Sequence, residues 1–300
     1  FSSQPLSQGV LDGLFLGALR DGGDHQFNGT GGPATAEGGD FYQVVAVFDW
    51  GGGTLDVTGV RIEESMFEVV STSGDTTLGG VDLDTVVSTL LVESGHDADD
   101  PELGTIAKEC KEALAASTEV VARNSGVRLT RDQFQVRAHP VIQKCKAPLL
   151  KVLNESGNVS EVIMVGGSSN VPLIRDIVGS VSKMEPVVLG DASVVSKGAA
   201  IYAESIGGGQ TDLLLVDVVP LTLGIDVTNG HMHPIVPRNT KLPCRKVETF
   251  TTFMDNQKAV DVQVYQGENR MTVRNFWLAT FDLTGLPPAP AGDLPIDVIF

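Results

Sequence analysis

The stretch Asp49-Trp50-Gly51-Gly52-Gly53-Thr54-Leu55-Asp56 decides how this chain is read. It follows Val44-Val45-Ala46-Val47-Phe48, an unbroken apolar run whose composition predicts a buried strand. A second strand is predicted from Leu55 to Ile62, and Phe67-Glu68-Val69-Val70-Ser71-Thr72 predicts a third. The result is a β-meander whose first turn is rich in glycine. A backbone without Cβ atoms lets its N–H groups come close to an anion, and Thr54 adds a hydroxyl donor. Asp49 and Asp56 flank the turn, where two carboxylates can hold a metal–water shell or orient an attacking water. The same residues also fit a plain glycine hairpin with two solvated aspartates. No Gly-x-x-x-x-Gly-Lys-Ser/Thr sequence occurs, so the loop is not that of a P-loop enzyme.

Outward from this core, helical periodicity runs from Val81 to Val92 and from Ile106 to Ala116, the latter after the start signal Asp99-Asp100-Pro101. A third helical stretch, Thr130 to Leu153, has Thr130 as N-cap and Pro140 and Pro148 as breaks or kinks. An apolar strand returns at Val162-Ile163-Met164-Val165. It enters Gly166-Gly167-Ser168-Ser169-Asn170-Val171-Pro172 and then a helix from Leu173 to Val181, which predicts an α/β crossover. Paired glycines at such a turn let a flat base or sugar lie on the backbone beside a helix N-terminus, although close strand–helix packing explains them equally well. A last helix, Ser193 to Ser205, ends in Gly207-Gly208-Gly209.

Beyond the short apolar run Leu213-Leu214-Leu215-Val216 the pattern becomes period two. Leu221, Leu223, Ile225 and Val227 alternate, as do Val260, Val262 and Val264, with turn signals at Asn229-Gly230, Asp255-Asn256 and Gly267. The chain thus divides into a Gly-rich, poorly structured segment at 1–40, an α/β region at 41–206, a linker at 207–219 and an all-β region at 220–300. Within the first segment, Leu11 to Leu19 is a short helix candidate. Gly29-Thr30-Gly31-Gly32-Pro33-Ala34 has the spacing of a dinucleotide loop, but no strand precedes it and Pro33 interrupts it, so it reads as linker.

The 300 residues carry 21 Lys and Arg against 38 Asp and Glu, a formal charge of −17. So acidic a chain is unsuited to sequence-independent nucleic-acid binding, which needs cations against phosphates. Hydrophobic residues make up 42%, enough for a real core, and no run of 18 apolar residues predicts a membrane span. Cys110, Cys145 and Cys244 are far apart and odd in number, which fits a reducing compartment, the cytoplasm or an organelle matrix. His231 and His233 can share a metal only with a third ligand, and none is evident. The chain opens on Phe1 and stops inside the strand-like run Ile296-Asp297-Val298-Ile299-Phe300, which reads as a fragment.

The two glycine turns in this order, about 110 residues apart, resemble the actin-like ATPase fold. The segment Asp212 to Asp226 narrows the resemblance to the 70-kDa heat-shock chaperone (DnaK-like) family. So do Asn239-Thr240-Lys241-Leu242-Pro243, Asp255-Asn256-Gln257, Val264-Tyr265-Gln266-Gly267-Glu268 and the run from Phe281 to Pro290. The resemblance covers residues 42–300 almost continuously. It implies a partial actin-like α/β ATPase lobe followed by a truncated all-β substrate-binding sandwich without its lid.

The same resemblance implies ATP or ADP with magnesium as cofactors. Asp49, Gly51, Gly52, Gly53 and Thr54 would form the second phosphate loop, with Asp49 and Asp56 as catalytic carboxylates that orient the magnesium-bound and attacking waters. Gly166, Gly167 and Ser168 would cradle the adenosine, Lys111 would lie near the ribose, and Asp191 would belong to the last nucleotide segment. Ile225, Phe250, Val260 and Val262 would line a pocket for extended apolar peptides of unfolded proteins. A J-domain co-chaperone and a nucleotide-exchange factor are the implied partners. The linker Leu213–Val216 would dock when ATP binds and release after hydrolysis.

Departures from the family pattern accompany these matches. Asn170 replaces an arginine that stacks on adenine, Lys108 a ribose-binding glutamate, Glu112 a basic residue, Ala115 a serine and Val81 a glutamate. The stretch between Ser117 and Arg131 is short enough that a small hairpin is expected to be missing. The family's first phosphate loop and catalytic lysine would precede residue 1. ATPase activity of this chain is therefore an open expectation, with a non-hydrolysing co-chaperone or interaction scaffold as the second reading.

Overall fold

The computed structural model describes residues 34–35, 41–63, 66–190, 193–207 and 214–300. The helix candidate at 11–19, the glycine pattern at 29–33, Asp191 and Leu213 lie outside them. The chain forms two units that divide between Leu215 and Val216.

In the first unit a seven-stranded sheet is built from β1 (Ala34–Thr35), β2 (Phe41–Trp50), β3 (Leu55–Glu63), β4 (Met66–Asp75), β7 (Glu161–Val165), β8 (Val187–Val188) and β9 (Leu214–Val216), with β5 (Glu119–Val121) and β6 (Arg128–Thr130) forming a separate hairpin. The order is β8-β7-β2-β3-β4-β9, and β1 pairs with the start of β2, so the 1–40 segment is not wholly without structure. The meander β2-β3-β4 is antiparallel, whereas β7 runs parallel to β2. Helices α1 (Gly80–Glu93), α2 (Leu103–Ala116), α3 (Arg131–Ile142), α4 (Lys146–Glu155), α5 (Pro172–Ser182) and α6 (Val194–Ile206) complete the unit.

The unbroken apolar run of β2 has a simple cause. Ala46, Phe48 and Trp50 face one core with Leu83, Val87 and Leu91 of α1, Ile106 and Leu114 of α2 and Phe134 of α3. Val45 and Val47 face a second core with Val194 and Ile201 of α6. A strand buried on both faces has no polar side to alternate with.

Thr130 caps α3 as expected. Its Oγ1 accepts from Gln133 N at 3.2 Å while Gln133 Oε1 accepts from Thr130 N at 2.9 Å, a capping box. Thr130→Ala is expected to lower stability by about 1 kcal/mol, read as a shifted urea midpoint at unchanged slope. The prolines behave unequally. α3 runs through Pro140, and the break falls at a short 3-10 turn, Gln143–Cys145, immediately before α4. Pro148 lies in the first turn of α4, where its ring excludes the carbonyl four residues back, that of Lys144. Pro148 thus sets the break.

One expectation is corrected. The stretch between Ser117 and Arg131 does form a hairpin, β5 (Glu119–Val121) paired antiparallel with β6 (Arg128–Thr130). Buried Ala122 and Leu129 anchor these three-residue strands in the main core.

The second unit has only strands and 3-10 turns among its described residues. A four-stranded antiparallel sheet runs β11 (His231–Val236), β10 (Leu223–Val227), β13 (Ala259–Gln266), β14 (Phe276–Thr284), and a two-stranded sheet pairs β12 (Val247–Thr251) with β15 (Pro295–Ile299). Asn229 and Gly230, with φ of 66° and 71°, turn the chain from β10 to β11 as the sequence predicts.

Candidate functional site

Parallel pairing places Asp49 of β2 beside Val165 of β7, so both glycine turns leave the same edge of the sheet, at the carboxyl ends of adjacent strands. That edge is where open α/β sheets bind ligands. Gly51 N donates to Thr54 O at 3.0 Å and closes the first turn. The start of α1 locks onto it: Gly80 N donates to Gly51 O at 2.9 Å and Val81 N to Gly52 O at 2.8 Å. A methyl group on Gly79 would stand 2.4 Å from Gly52 O, a contact only glycine avoids. Gly52 and Gly53, by contrast, are exposed, with nothing within 4 Å of where a Cβ would lie. The backbone of the turn is pinned on one side and open on the other.

The second turn joins the first. Ser168 Oγ donates to Gly51 O at 3.1 Å. Lys111, buried on α2, donates to Gly80 O at 3.2 Å and lies 2.7 Å from Asp84 Oδ1 of α1. A Cβ on Gly80 would meet Ser168 Oγ at 2.7 Å, Lys111 Nζ at 3.2 Å and Gly51 O at 3.4 Å. Residues 51, 80, 111 and 168 therefore converge on one point. Gly166 holds a φ of +86°, and its missing Cβ would lie 2.4 Å from Trp50 O and 2.6 Å from Asp49 Oδ1. Gly79, Gly80 and Asp84 are the members that sequence reasoning left without a role. The Gly-Gly pair ahead of an apolar helix was the available signal for the first two.

Asp49 and Asp56 face each other across the β2–β3 pair. Burial, then the charge of Asp56, pushes the Asp49 carboxyl up to about 6. Burial also raises Asp56, partly offset by Thr54 Oγ1, which donates to its Oδ2 at 3.2 Å. Asp49 has no donor or cation partner among the described residues. Two desolvated, mutually repelling oxygens at the mouth of an open glycine turn are a donor set that suits a hard, hydrated divalent cation such as magnesium. Asn170 is exposed and donates to Gly167 O at 3.2 Å, Val81 is 62% exposed, and exposed Lys108 lies 3.9 Å from Glu112.

In the second unit Ile225 is buried opposite Val264, and half-buried Phe250 and Val262 pack on the same cluster. Val260 lies two residues before Val262 on the same face of β13, half-buried and outside that cluster. Phe250 sets its edge against the His233 ring, centroids 5.4 Å apart, and His233 also pairs with Glu248. His231 Nδ1 lies 3.2 Å from Thr228 O, and no group of three metal-ligating side chains occurs among the described residues.

The Hsp70 protein family model matches residues 36–300, and the chain belongs to that family. It is 38% identical over 272 residues to the chaperone protein HscA of Pectobacterium carotovorum subsp. carotovorum, covering 86% of this chain and 44% of that protein. It is 37% identical over 284 residues to the chaperone protein DnaK of Cenarchaeum symbiosum, covering 85% and 43%. It is 36% identical over 285 residues to the chaperone protein dnaK of Gracilaria tenuistipitata var. liui, covering 86% and 46%. The chain thus spans less than half the length of these relatives.

Proposed function

We propose that the chain carries nucleotide-responsive and peptide-binding parts of an ATP-regulated molecular chaperone. The observation that carries this reading is the convergence of Gly51, Gly80, Lys111 and Ser168 beside the carboxylate pair. In this reading the open backbone of Gly52 and Gly53, with Thr54, binds phosphate oxygens, and Gly166, Gly167 and Ser168 support the adenosine. Lys111, held by Asp84, supplies positive charge toward the ribose. Asp49 would hold magnesium and Asp56 would orient a water. The metal, when bound, neutralises phosphate charge; the protein's own part is positioning.

The peptide site combines Ile225, Phe250, Val260 and Val262 in a β-sandwich, where an extended apolar segment of an unfolded protein is held by backbone hydrogen bonds and an apolar pocket. The segment around Leu214–Val216 couples the two sites. A J-domain co-chaperone and a nucleotide-exchange factor are the proposed partners. The three cysteines, free in the structure, suit the cytoplasm or an organelle matrix. No helix among the described residues is long and apolar enough to cross a membrane.

A fluorescent apolar heptapeptide tests this by anisotropy. Binding is expected, weakened about tenfold or more by Ile225→Asp, with release faster in magnesium ATP. Absence of binding, or release indifferent to ATP, overturns the reading. A second reading, a non-hydrolysing scaffold, is favoured by two of the departing residues: Asn170 is engaged with Gly167 rather than free to stack, and Lys108 is paired with Glu112. ATP binding without phosphate release over hours would select it.

A further inference from the structure

Away from the glycine turns, the tip of the β5–β6 hairpin meets the loop after α1. A serine, a histidine and an aspartate join there in one chain of hydrogen bonds. The His96 side chain is 1% exposed; its Nε2 stands 3.0 Å from Asp100 Oδ2 and its Nδ1 2.6 Å from Ser125 Oγ. Asp100 is fixed in turn, Oδ1 accepting from Glu102 N at 2.8 Å and Oδ2 from Asn124 Nδ2 at 3.2 Å. These bonds, the Glu102 backbone one first, hold its carboxyl below the usual range. An ionised carboxylate only accepts, so in the neutral ring the proton sits on Nε2 and Nδ1 presents its lone pair. In that form Ser125 donates its O–H to Nδ1.

The backbone around Ser125 is as specific as the side chains. Ser125 is exposed, and it lies between two left-handed residues, Asn124 and Gly126, each with φ of 69°. Gly126 N donates to Ala122 O at 3.0 Å and tightens the turn. A hydroxyl on a sharp exposed turn, a base shielded from water and a carboxylate that fixes the base's tautomer together make an activated serine.

We propose that Ser125, His96 and Asp100 form a nucleophilic site that accepts the acyl group of small activated carboxylic esters. Ser125 Oγ attacks the carbonyl carbon as His96 Nδ1 takes the hydroxyl proton. The bond to the leaving alcohol breaks and Nδ1 returns that proton to the departing oxygen, leaving an ester on Ser125. Water then attacks the same carbon with its proton passing to Nδ1, and Ser125 Oγ leaves with that proton as the carboxylic acid forms. The balance is ester plus water to acid plus alcohol. Asp100 is a positioning residue. The proposal does not depend on nucleotide or peptide binding.

A fluorophosphonate probe, with the modified residue located by peptide mass mapping, tests it on the whole chain. Ser125 is expected to be labelled about 100-fold faster than any other serine of the same chain, and Ser125→Ala to lose the label while remaining folded. His96→Gln and Asp100→Asn should slow labelling by about 100-fold, and Asp100→Asn should change its pH profile. p-Nitrophenyl acetate should release nitrophenol in step with acylation of Ser125. Labelling of Ser125 no faster than that of other exposed serines overturns the proposal, and this comparison needs no variant. So does an unaltered rate in folded Asp100→Asn. Either result would leave the trio as a tie between hairpin and loop.

Discussion

At pH 7.5 the substitution Asp49→Asn is expected to make the chain more stable. Burial and the neighbouring Asp56 raise the Asp49 carboxyl from 3.8 to about 6 in the folded protein. The folded state therefore binds more protons than the unfolded chain between these values, and stability falls as pH rises through that window. Below about pH 3 the group is protonated in both states and costs nothing; above pH 6 nearly the full cost of ionising a desolvated carboxylate is present. By linkage that cost is on the order of 2–3 kcal/mol. Urea unfolding of both proteins from about pH 3 to pH 8 checks it. Their difference should be near zero at about pH 3 and grow to that size above pH 6, in favour of Asn. A wild-type curve that is flat across the window would mean Asp49 is solvated like any surface carboxylate. A fold that keeps such a residue is the pattern of a site in which function is held against stability.

Gly166→Ala should be among the most damaging single-methyl additions in the first unit. The backbone there has φ of +86°, and the added carbon would lie 2.4 Å from Trp50 O and 2.6 Å from Asp49 Oδ1. The first obstacle is main chain at the carboxyl end of β2 and cannot swing aside. Strain and clash together are expected to cost about 2–4 kcal/mol. Gly167→Ala is the matched control, because nothing lies within 4 Å of its Cβ position; it should change stability by less than about 0.5 kcal/mol. Equal losses at the two positions would show that the close packing of the second turn on β2 is not as described.

What was legible in the sequence and what was not divide along physical lines. The apolar run Val44–Phe48 could be read because burial on both faces leaves no polar positions. The capping box at Thr130 could be read because its partners are three residues apart. The break before α4 was placed at two prolines because sequence shows that each removes a donor, but not which of the two carbonyl clashes the packing absorbs. The β5–β6 hairpin escaped because three-residue strands carry too little periodicity, and what holds them is the distant core around Leu129. Both glycine turns were visible as local composition, and parallel pairing of β2 and β7 sets them side by side. Lys111–Asp84 and Ser125–His96 join different elements through side chains far apart along the chain, so no local pattern announces them.

If the two glycine turns and the Asp49–Asp56 pair form one nucleotide site, ATP binding to this chain depends on magnesium. Titration calorimetry of ATP into the chain, with magnesium and then with a chelator, tests it most directly, using Asp49→Asn as a control that is folded and more stable. A dissociation constant of about 1 mM or tighter is expected with magnesium, and heat that disappears in the chelator and in Asp49→Asn. No heat above dilution in the wild type, or the same heat in Asp49→Asn, would contradict it.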